Sequence, residues 1–287
     1  MSLVPPVLPS SKYVECGGHQ VHYLEWGDRQ GPVIVMWHGL ARNCRDFDDL
    51  ARRLADKHRI ICPDTIGRGL SEWSASPGQD YNFSSYAKCA AELFNVLEIE
   101  EADWVGTSMG GALGIFVAGG PLRGRITRLV LNDIGPILPE GPFERIKQYV
   151  GNPPSFSRLT EFEEYLRTVY RPFGWHSDAQ WIRMAEMLSR RLPDGRFTSH
   201  YDPRIVLQMF DHPHDFEQWD TYKSIALSTL VLRGESSDVL SAETAQWMSR
   251  NGSNTQVIDI PNCGHAPGLN TLEQIEVVAG FLEKGGR

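Results

Sequence analysis

The chain has 287 residues, of which 41% are hydrophobic and 10% aromatic, and its formal net charge is −8 at pH 7. This composition is typical of a globular protein and excludes a disordered chain, because it supplies many rings that need burial. A net negative chain without a run of Lys or Arg is a poor partner for nucleic acid or an anionic membrane. Its longest apolar runs are far shorter than the roughly 20 residues that a membrane-spanning helix needs.

The N-terminal residues 1–11 are rich in Pro and Ser. They lack the basic and apolar regions of a signal peptide, so we expect a loose arm. The cysteines are odd in number and have no C-x-x-C spacing, which favours free, reduced thiols in a cytoplasmic protein. They are Cys16, Cys44, Cys62, Cys89 and Cys263.

Hydrophobic patterns along the chain predict alternating strands and helices. Residues 12–16 and 20–26 alternate in polarity across Gly17-Gly18, which is typical of a hairpin. Further strands are predicted at 32–37, 59–62, 103–106, 126–131, 229–232 and 255–260, and helices at 46–56, 84–97, 111–118 and 272–282. This alternation predicts an α/β fold with a mostly parallel sheet covered by helices on both faces.

One interval interrupts the alternation. Residues 134–227 contain no convincing core strand but carry helical patterns at 159–170 and 178–188. Because a structureless loop of this length is rare in a compact domain, we expect a helical cap inserted over the C-terminal edge of the sheet. The predicted core then comprises residues 12–133 and 228–284.

A serine lies in the pattern G-x-S-x-G, at Ser108 in Gly106-Thr107-Ser108-Met109-Gly110. The pattern follows a predicted strand and precedes a helix of small residues. In this setting a serine is held on a tight turn with its hydroxyl exposed. Ser108 is therefore the candidate nucleophile.

A serine nucleophile needs a base, and His265 follows the last predicted strand in Asn262-Cys263-Gly264-His265. A histidine in this position can reach the edge of the sheet where Ser108 lies. We therefore expect His265 to take the serine proton.

The histidine needs a carboxylate that fixes its tautomer. Asp238 follows the strand at 229–232, and the chain order Ser108, Asp238, His265 favours it as this acid. Two alternatives stay open: Asp133, which ends the strand after the nucleophile, and Glu235, which lies closer to its own strand.

The negative charge that develops on an attacked carbonyl needs preorganised donors. The backbone N–H of Met109 lies at the predicted start of a helix, and that of Leu40 lies in the loop after His38-Gly39. We expect these two groups to form the oxyanion hole.

These pieces together resemble the α/β-hydrolase family. The resemblance rests on His38-Gly39-Leu40, the segment 63–71 (Pro-Asp-Thr-Ile-Gly-Arg-Gly-Leu-Ser), the Ser108 turn, the segment 234–238 and Gly264-His265. It covers residues 20–282 and is closest in type to esterases, enol-lactonases and carbon–carbon bond hydrolases. It implies an α/β-hydrolase fold with a cap, a Ser-Asp-His triad, and no cofactor or metal.

The expected activity is hydrolysis of a small-molecule carboxylic ester, thioester or lactone through an acyl-enzyme. Hydrolysis of a carbon–carbon bond in a ring-cleavage product is the alternative, since the same triad serves it, and perhydrolase activity is a third. A ligand-binding receptor of the same fold is a hypothesis from another class. Asp211-His212-Pro213-His214-Asp215 has the composition of a metal site, but the proline between the histidines favours a turn.

Overall fold

The computed structural model of the chain describes residues 8–284. The strands are β1 Ser10–Cys16, β2 His19–Trp26, β3 Val33–Trp37, β4 Arg59–Pro63, β5 Ala102–Thr107, β6 Ile126–Asn132, β7 Ser155–Phe156, β8 Ser189–Arg191, β9 Phe197–Ser199, β10 Ser228–Gly234 and β11 Thr255–Ile260. The helices are α1 Asp48–Leu54, α2 Pro77–Asp80, α3 Phe83–Val96, α4 Met109–Gly119, α5 Glu140–Val150, α6 Leu159–Val169, α7 Asp178–Leu188, α8 Leu207–Asp211, α9 Trp219–Ser224, α10 Ala242–Asn251 and α11 Leu272–Glu283.

Eight of these strands form one sheet in the order β1-β2-β4-β3-β5-β6-β10-β11. The first two pairings, β1 with β2 and β2 with β4, are antiparallel, and the remaining pairings are parallel. The predicted fold class is confirmed. Because the C-terminal ends of parallel strands meet at one edge, the loops after β3, β5, β6, β10 and β11 lie close together there.

Strand β3 shows why its sequence is apolar at every position. Its side chains alternate between two cores: Val35 and Trp37 pack with the residues of α3 and α4, while Ile34 and Met36 pack with those of α1 and α11. Both faces of the sheet are therefore covered, as the continuous apolar run predicts.

The segment 134–227, here called the inserted segment, contributes no strand to the eight-stranded sheet. Its two ends pair through a bridge between Ile137 and Glu217. It contains α5 to α9, and also a small antiparallel sheet in the order β7-β9-β8. This small sheet was not predicted, because strands of two or three residues are too brief to give a period-2 signal.

The N-terminal arm was predicted to extend to residue 11, but β1 already begins at Ser10, where it pairs with Glu25 of β2. Residues 1–7 of that predicted arm lie outside the described residues. Within residues 8–284, none of the helices has the length and apolar character needed to cross a bilayer. All five cysteines are described, buried and free of disulfides.

Candidate active site

Ser108 occupies a strained turn between β5 and α4. Its backbone has φ 52° and ψ −117°, a conformation that L residues adopt only where the surrounding structure enforces it. The flanking glycines allow this turn, because a Cβ on Gly106 would lie 2.2 Å from the carbonyl oxygen of Gly110 and a Cβ on Gly110 would lie 2.0 Å from that of Trp37. The sequence pattern thus has a steric cause.

His265 lies in the loop after β11 and reaches Ser108. Its Nε2 is 2.9 Å from Ser108 Oγ, and its Nδ1 is 2.8 Å from Asp133 Oδ2. A carboxylate only accepts hydrogen bonds, so Nδ1 carries the proton and Nε2 is free to accept the serine O–H. This is the tautomer that general-base catalysis on a serine needs.

Asp133, and not Asp238, makes the carboxylate contact with His265. Asp133 follows β6 with φ 57°, and its side chain is completely buried. Besides the imidazole, its carboxylate accepts the N–H of Gly234 at 2.7 Å and the hydroxyl of Ser237 at 2.6 Å. Three donors thus hold this buried carboxylate in one orientation.

The expectation for Asp238 needs correction accordingly. Its carboxylate forms an ion pair with Arg145 of α5, and both side chains are about half exposed. Burial opposes its ionisation, but the hydrogen bond and charge of Arg145 outweigh this and lower the pKa of Asp238. The other alternative, Glu235, accepts the N–H of Asn262 at 3.1 Å, which links the loops after β10 and β11.

The two expected oxyanion donors flank the serine. Met109 begins α4, and Gly39, the neighbour of Leu40, lies beside Ser108, since a Cβ on this glycine would be 3.7 Å from the serine Cβ. Among residues 8–284, neither the Leu40 N–H nor the Met109 N–H donates to another protein group. Both are therefore free to receive an anionic oxygen.

The Leu40 loop is held by two buried side chains whose role the sequence did not reveal. Arg68 is fully buried and donates to the Leu40 carbonyl at 2.9 Å and to the hydroxyl of Tyr86 at 2.7 Å. His38 contacts the Gly39 carbonyl through Nδ1 and accepts the Thr65 N–H through Nε2. Burial lowers the pKa of His38, which keeps the ring in this neutral, bridging form. The one sequence signal for this role was the position of Arg68 within the 63–71 motif.

A cavity of about 500 Å³ opens above the serine. Its wall is formed by the loops after β3, β5, β10 and β11 and by the inserted segment, and it is mainly apolar. The apolar contributors include Leu40, Ile146, Val150, Val169 and Phe173. A cavity of this volume can hold a small organic molecule.

A second constellation, away from the cavity, brings together His22, Cys44 and Asp64. The Asp64 carboxylate already accepts the N–H groups of Cys44 and Leu70 and contacts His22 Nδ1 at 2.7 Å. Burial raises the pKa of the Cys44 thiol, which disfavours the thiolate that a metal requires. Internal hydrogen bonds therefore account for this cluster.

In the segment that has the composition of a metal site, Asp215 accepts the N–H of Phe83 and an amide N–H of Gln208, while His212 lies near the Gly78 carbonyl. These contacts join the inserted segment to α2 and α3.

The chain and its fold are similar to those of known proteins. Residues 34–279 match a family model described as the alpha/beta hydrolase family. The 3-hydroxybutyrate-oligomer hydrolase of Cupriavidus necator is 35% identical over 288 residues, covering 96% of this chain and 98% of that protein. The 2-(acetamidomethylene)succinate hydrolase of Mesorhizobium japonicum is 25% identical over 256 residues, covering 89% of this chain and 88% of that protein.

Among solved structures, an alpha/beta hydrolase from Novosphingobium aromaticivorans superposes with a TM-score of 0.84 at 32% identity, covering 96% of this chain and 98% of that chain. The similarity therefore extends over the inserted segment as well as over the sheet.

Proposed function

Because the chain belongs to the alpha/beta hydrolase family, we propose that it hydrolyses a carboxylic ester of a small molecule through an acyl-enzyme on Ser108. The observation that carries this proposal is the hydrogen-bonded series from Ser108 through His265 to Asp133 at the base of the cavity. A nucleophile, a base and an orienting carboxylate in this relation are the arrangement for acyl transfer.

In the first half of the reaction, Ser108 Oγ attacks the ester carbonyl carbon and its proton passes to His265 Nε2. The buried carboxylate of Asp133 stabilises the imidazolium that forms. The tetrahedral oxyanion accepts hydrogen bonds from the N–H groups of Leu40 and Met109. Collapse of this intermediate breaks the ester C–O bond, and the departing alkoxide takes the proton from His265.

In the second half, His265 removes a proton from water, which attacks the acyl carbon. The second tetrahedral intermediate expels Ser108 Oγ, which regains its proton from the imidazolium. The products are one carboxylic acid and one alcohol, and the enzyme returns to its starting protonation state.

The substrate class is supported by two observations. The relative from Cupriavidus necator, aligned over nearly the whole chain, is named for hydrolysis of 3-hydroxybutyrate oligomers, which are esters of a hydroxy acid. The mainly apolar cavity suits a short aliphatic acyl chain.

We also propose that residues 134–227 act as the cap over the site. The five free, buried thiols support the further proposal that the enzyme is cytoplasmic.

The test uses three substrates with the purified chain and its Ser108→Ala variant: an aryl butyrate, a linear 3-hydroxybutyrate dimer and a vinylogous diketone acid. We expect turnover of both esters, reduced at least about 10⁴-fold in the variant. Turnover of the diketone alone would favour carbon–carbon hydrolysis, and ester turnover that survives Ser108→Ala would refute the proposal.

A further inference from the structure

Helix α5 brings two polar side chains into the cavity that contains Ser108. Arg145 and Tyr149 are four residues apart, so they lie on the same face of the helix, and both line the cavity together with Ser108 and His265. The apolar residues Ile146 and Val150 lie beside them in the same wall. A charged group and a phenol thus accompany the apolar side chains that α5 contributes to this wall.

Within the described part of the chain, Arg145 has N–H donors without a partner, whereas Arg42, the other arginine of the cavity, uses its donors within the protein. Arg42 donates from Nε and Nη2 to Asp46, and its guanidinium lies 4.7 Å from the centre of the Tyr170 ring. Arg145 donates from Nη1 alone, to Asp238, and is half exposed. Among the described residues of this wall, Arg145 is therefore the cation available to a ligand.

The Arg145–Asp238 pair also shows that a carboxylate fits against this guanidinium. Both partners line the cavity, so a carboxylate of a bound molecule competes with or joins that of Asp238. Tyr149 adds a neutral hydrogen-bond donor. Burial raises the pKa of its phenol, so the O–H stays protonated. Within residues 8–284 this hydroxyl has no hydrogen-bond partner.

We propose that Arg145 and Tyr149 bind a free carboxylate of the substrate, and that Asp238 is an internal counter-ion that competes for Arg145. The preferred substrates are then esters that carry a second, ionised carboxyl group, such as a linear hydroxy-acid oligomer. This inference rests on the proposed ester hydrolysis and specifies the substrate that the site selects.

The test compares two substrates with the same scissile ester, the 3-hydroxybutyrate dimer and its terminal carboxamide. We expect the parent enzyme to prefer the acid in kcat/KM. Arg145→Gln should reduce this preference by about 10- to 100-fold, mainly through KM, because it removes a charge-assisted hydrogen bond. Tyr149→Phe should reduce it less, and Asp238→Asn should increase it.

A matched control is Arg158→Gln, since Arg158 is also paired with a carboxylate in the inserted segment but does not line the cavity. This variant should keep the parent preference. Equal preference for acid and carboxamide in the parent, or an unchanged preference in Arg145→Gln, would overturn the inference.

Binding separates this inference from the proposed function. We expect calorimetric titration with 3-hydroxybutyrate to show weaker binding to the double variant Ser108→Ala, Arg145→Gln than to the single variant Ser108→Ala. If the parent enzyme cleaves no ester while this difference in affinity persists, the proposed hydrolysis fails and the carboxylate site stands. If an aryl ester is cleaved but the affinity is unaffected, the carboxylate site fails alone.

Discussion

Replacing Asp133 with Asn tests the assignment of the orienting acid. The amide group can donate to His265 Nδ1, which would leave the ring proton on Nε2, the nitrogen that must accept the serine proton. An imidazole in the wrong tautomer costs a serine hydrolase on the order of 10⁴ in kcat, which corresponds to about 5 kcal/mol in the activation free energy. We therefore expect kcat for an aryl butyrate to fall by about 10³- to 10⁴-fold.

Asp238→Asn is the matched comparison, because it makes the same chemical change at the carboxylate that pairs with Arg145. We expect it to lose less than about tenfold on the neutral aryl ester, since its carboxylate does not contact His265. Circular dichroism and thermal melting establish that both variants are folded. A large loss in Asp238→Asn together with an active Asp133→Asn would refute the reasoning.

Three further predictions concern the support of the site and the stability of the fold. Gly110→Ala should lower the free energy of unfolding by about 3 kcal/mol in urea denaturation, because the new Cβ would lie 2.0 Å from a backbone carbonyl oxygen of β3. The matched variant Gly141→Ala, where the new Cβ would meet open space, should be neutral or slightly stabilising. Ser237→Ala should lower kcat by about tenfold through loss of the donor to Asp133, with activity recovered in Ser237→Thr; equal losses in both variants would argue against this hydrogen bond. Burial raises the pKa of Asp48 to about 6, so the folded state binds its proton more tightly than the unfolded chain and loses stability as the pH rises from about 4 to 6. Asp48→Asn should therefore gain in unfolding free energy relative to the parent between pH 4 and 7, by at most about 3 kcal/mol; a difference that does not change with pH would contradict this.

The nucleophile and base could be predicted because a short sequence pattern marks each of them. Gly106 is required by a close approach to Gly110 within the pattern, Gly110 is required by the close approach of Trp37 in β3, and His265 follows a strand that the hydrophobic pattern identifies. The structure brings these two side chains within hydrogen-bond distance. Their catalytic roles stay predictions until measured.

The choice between Asp133 and Asp238 could not be made in this way. Both follow neighbouring parallel strands, β6 and β10, so both approach the same edge of the sheet. Which carboxylate reaches His265 depends on the left-handed backbone of Asp133. It also depends on the hydrogen-bond donors of Gly234 and Ser237, which lie 101 and 104 residues further along the chain. Such a convergence leaves no periodic signal in the sequence.

The secondary structure of the inserted segment could be predicted only in part. The helix at Asp178–Leu188 agrees with its pattern, whereas the small sheet of β7, β8 and β9 was missed because each strand is so short. The approach of Arg145 to the cavity depends on how α5 docks, which amphipathic spacing does not specify.

The most direct test of the account is labelling of the purified protein with a fluorophosphonate, followed by peptide mass spectrometry. We expect a single adduct on Ser108 that is lost in His265→Ala. An informative competitor is Ser11, because its hydroxyl lies 2.8 Å from His22, which in turn contacts Asp64. Neither Ser11 nor His22 lines the cavity above Ser108. An adduct on Ser11, or a folded protein without any adduct, would contradict the claim that Ser108 is the activated nucleophile.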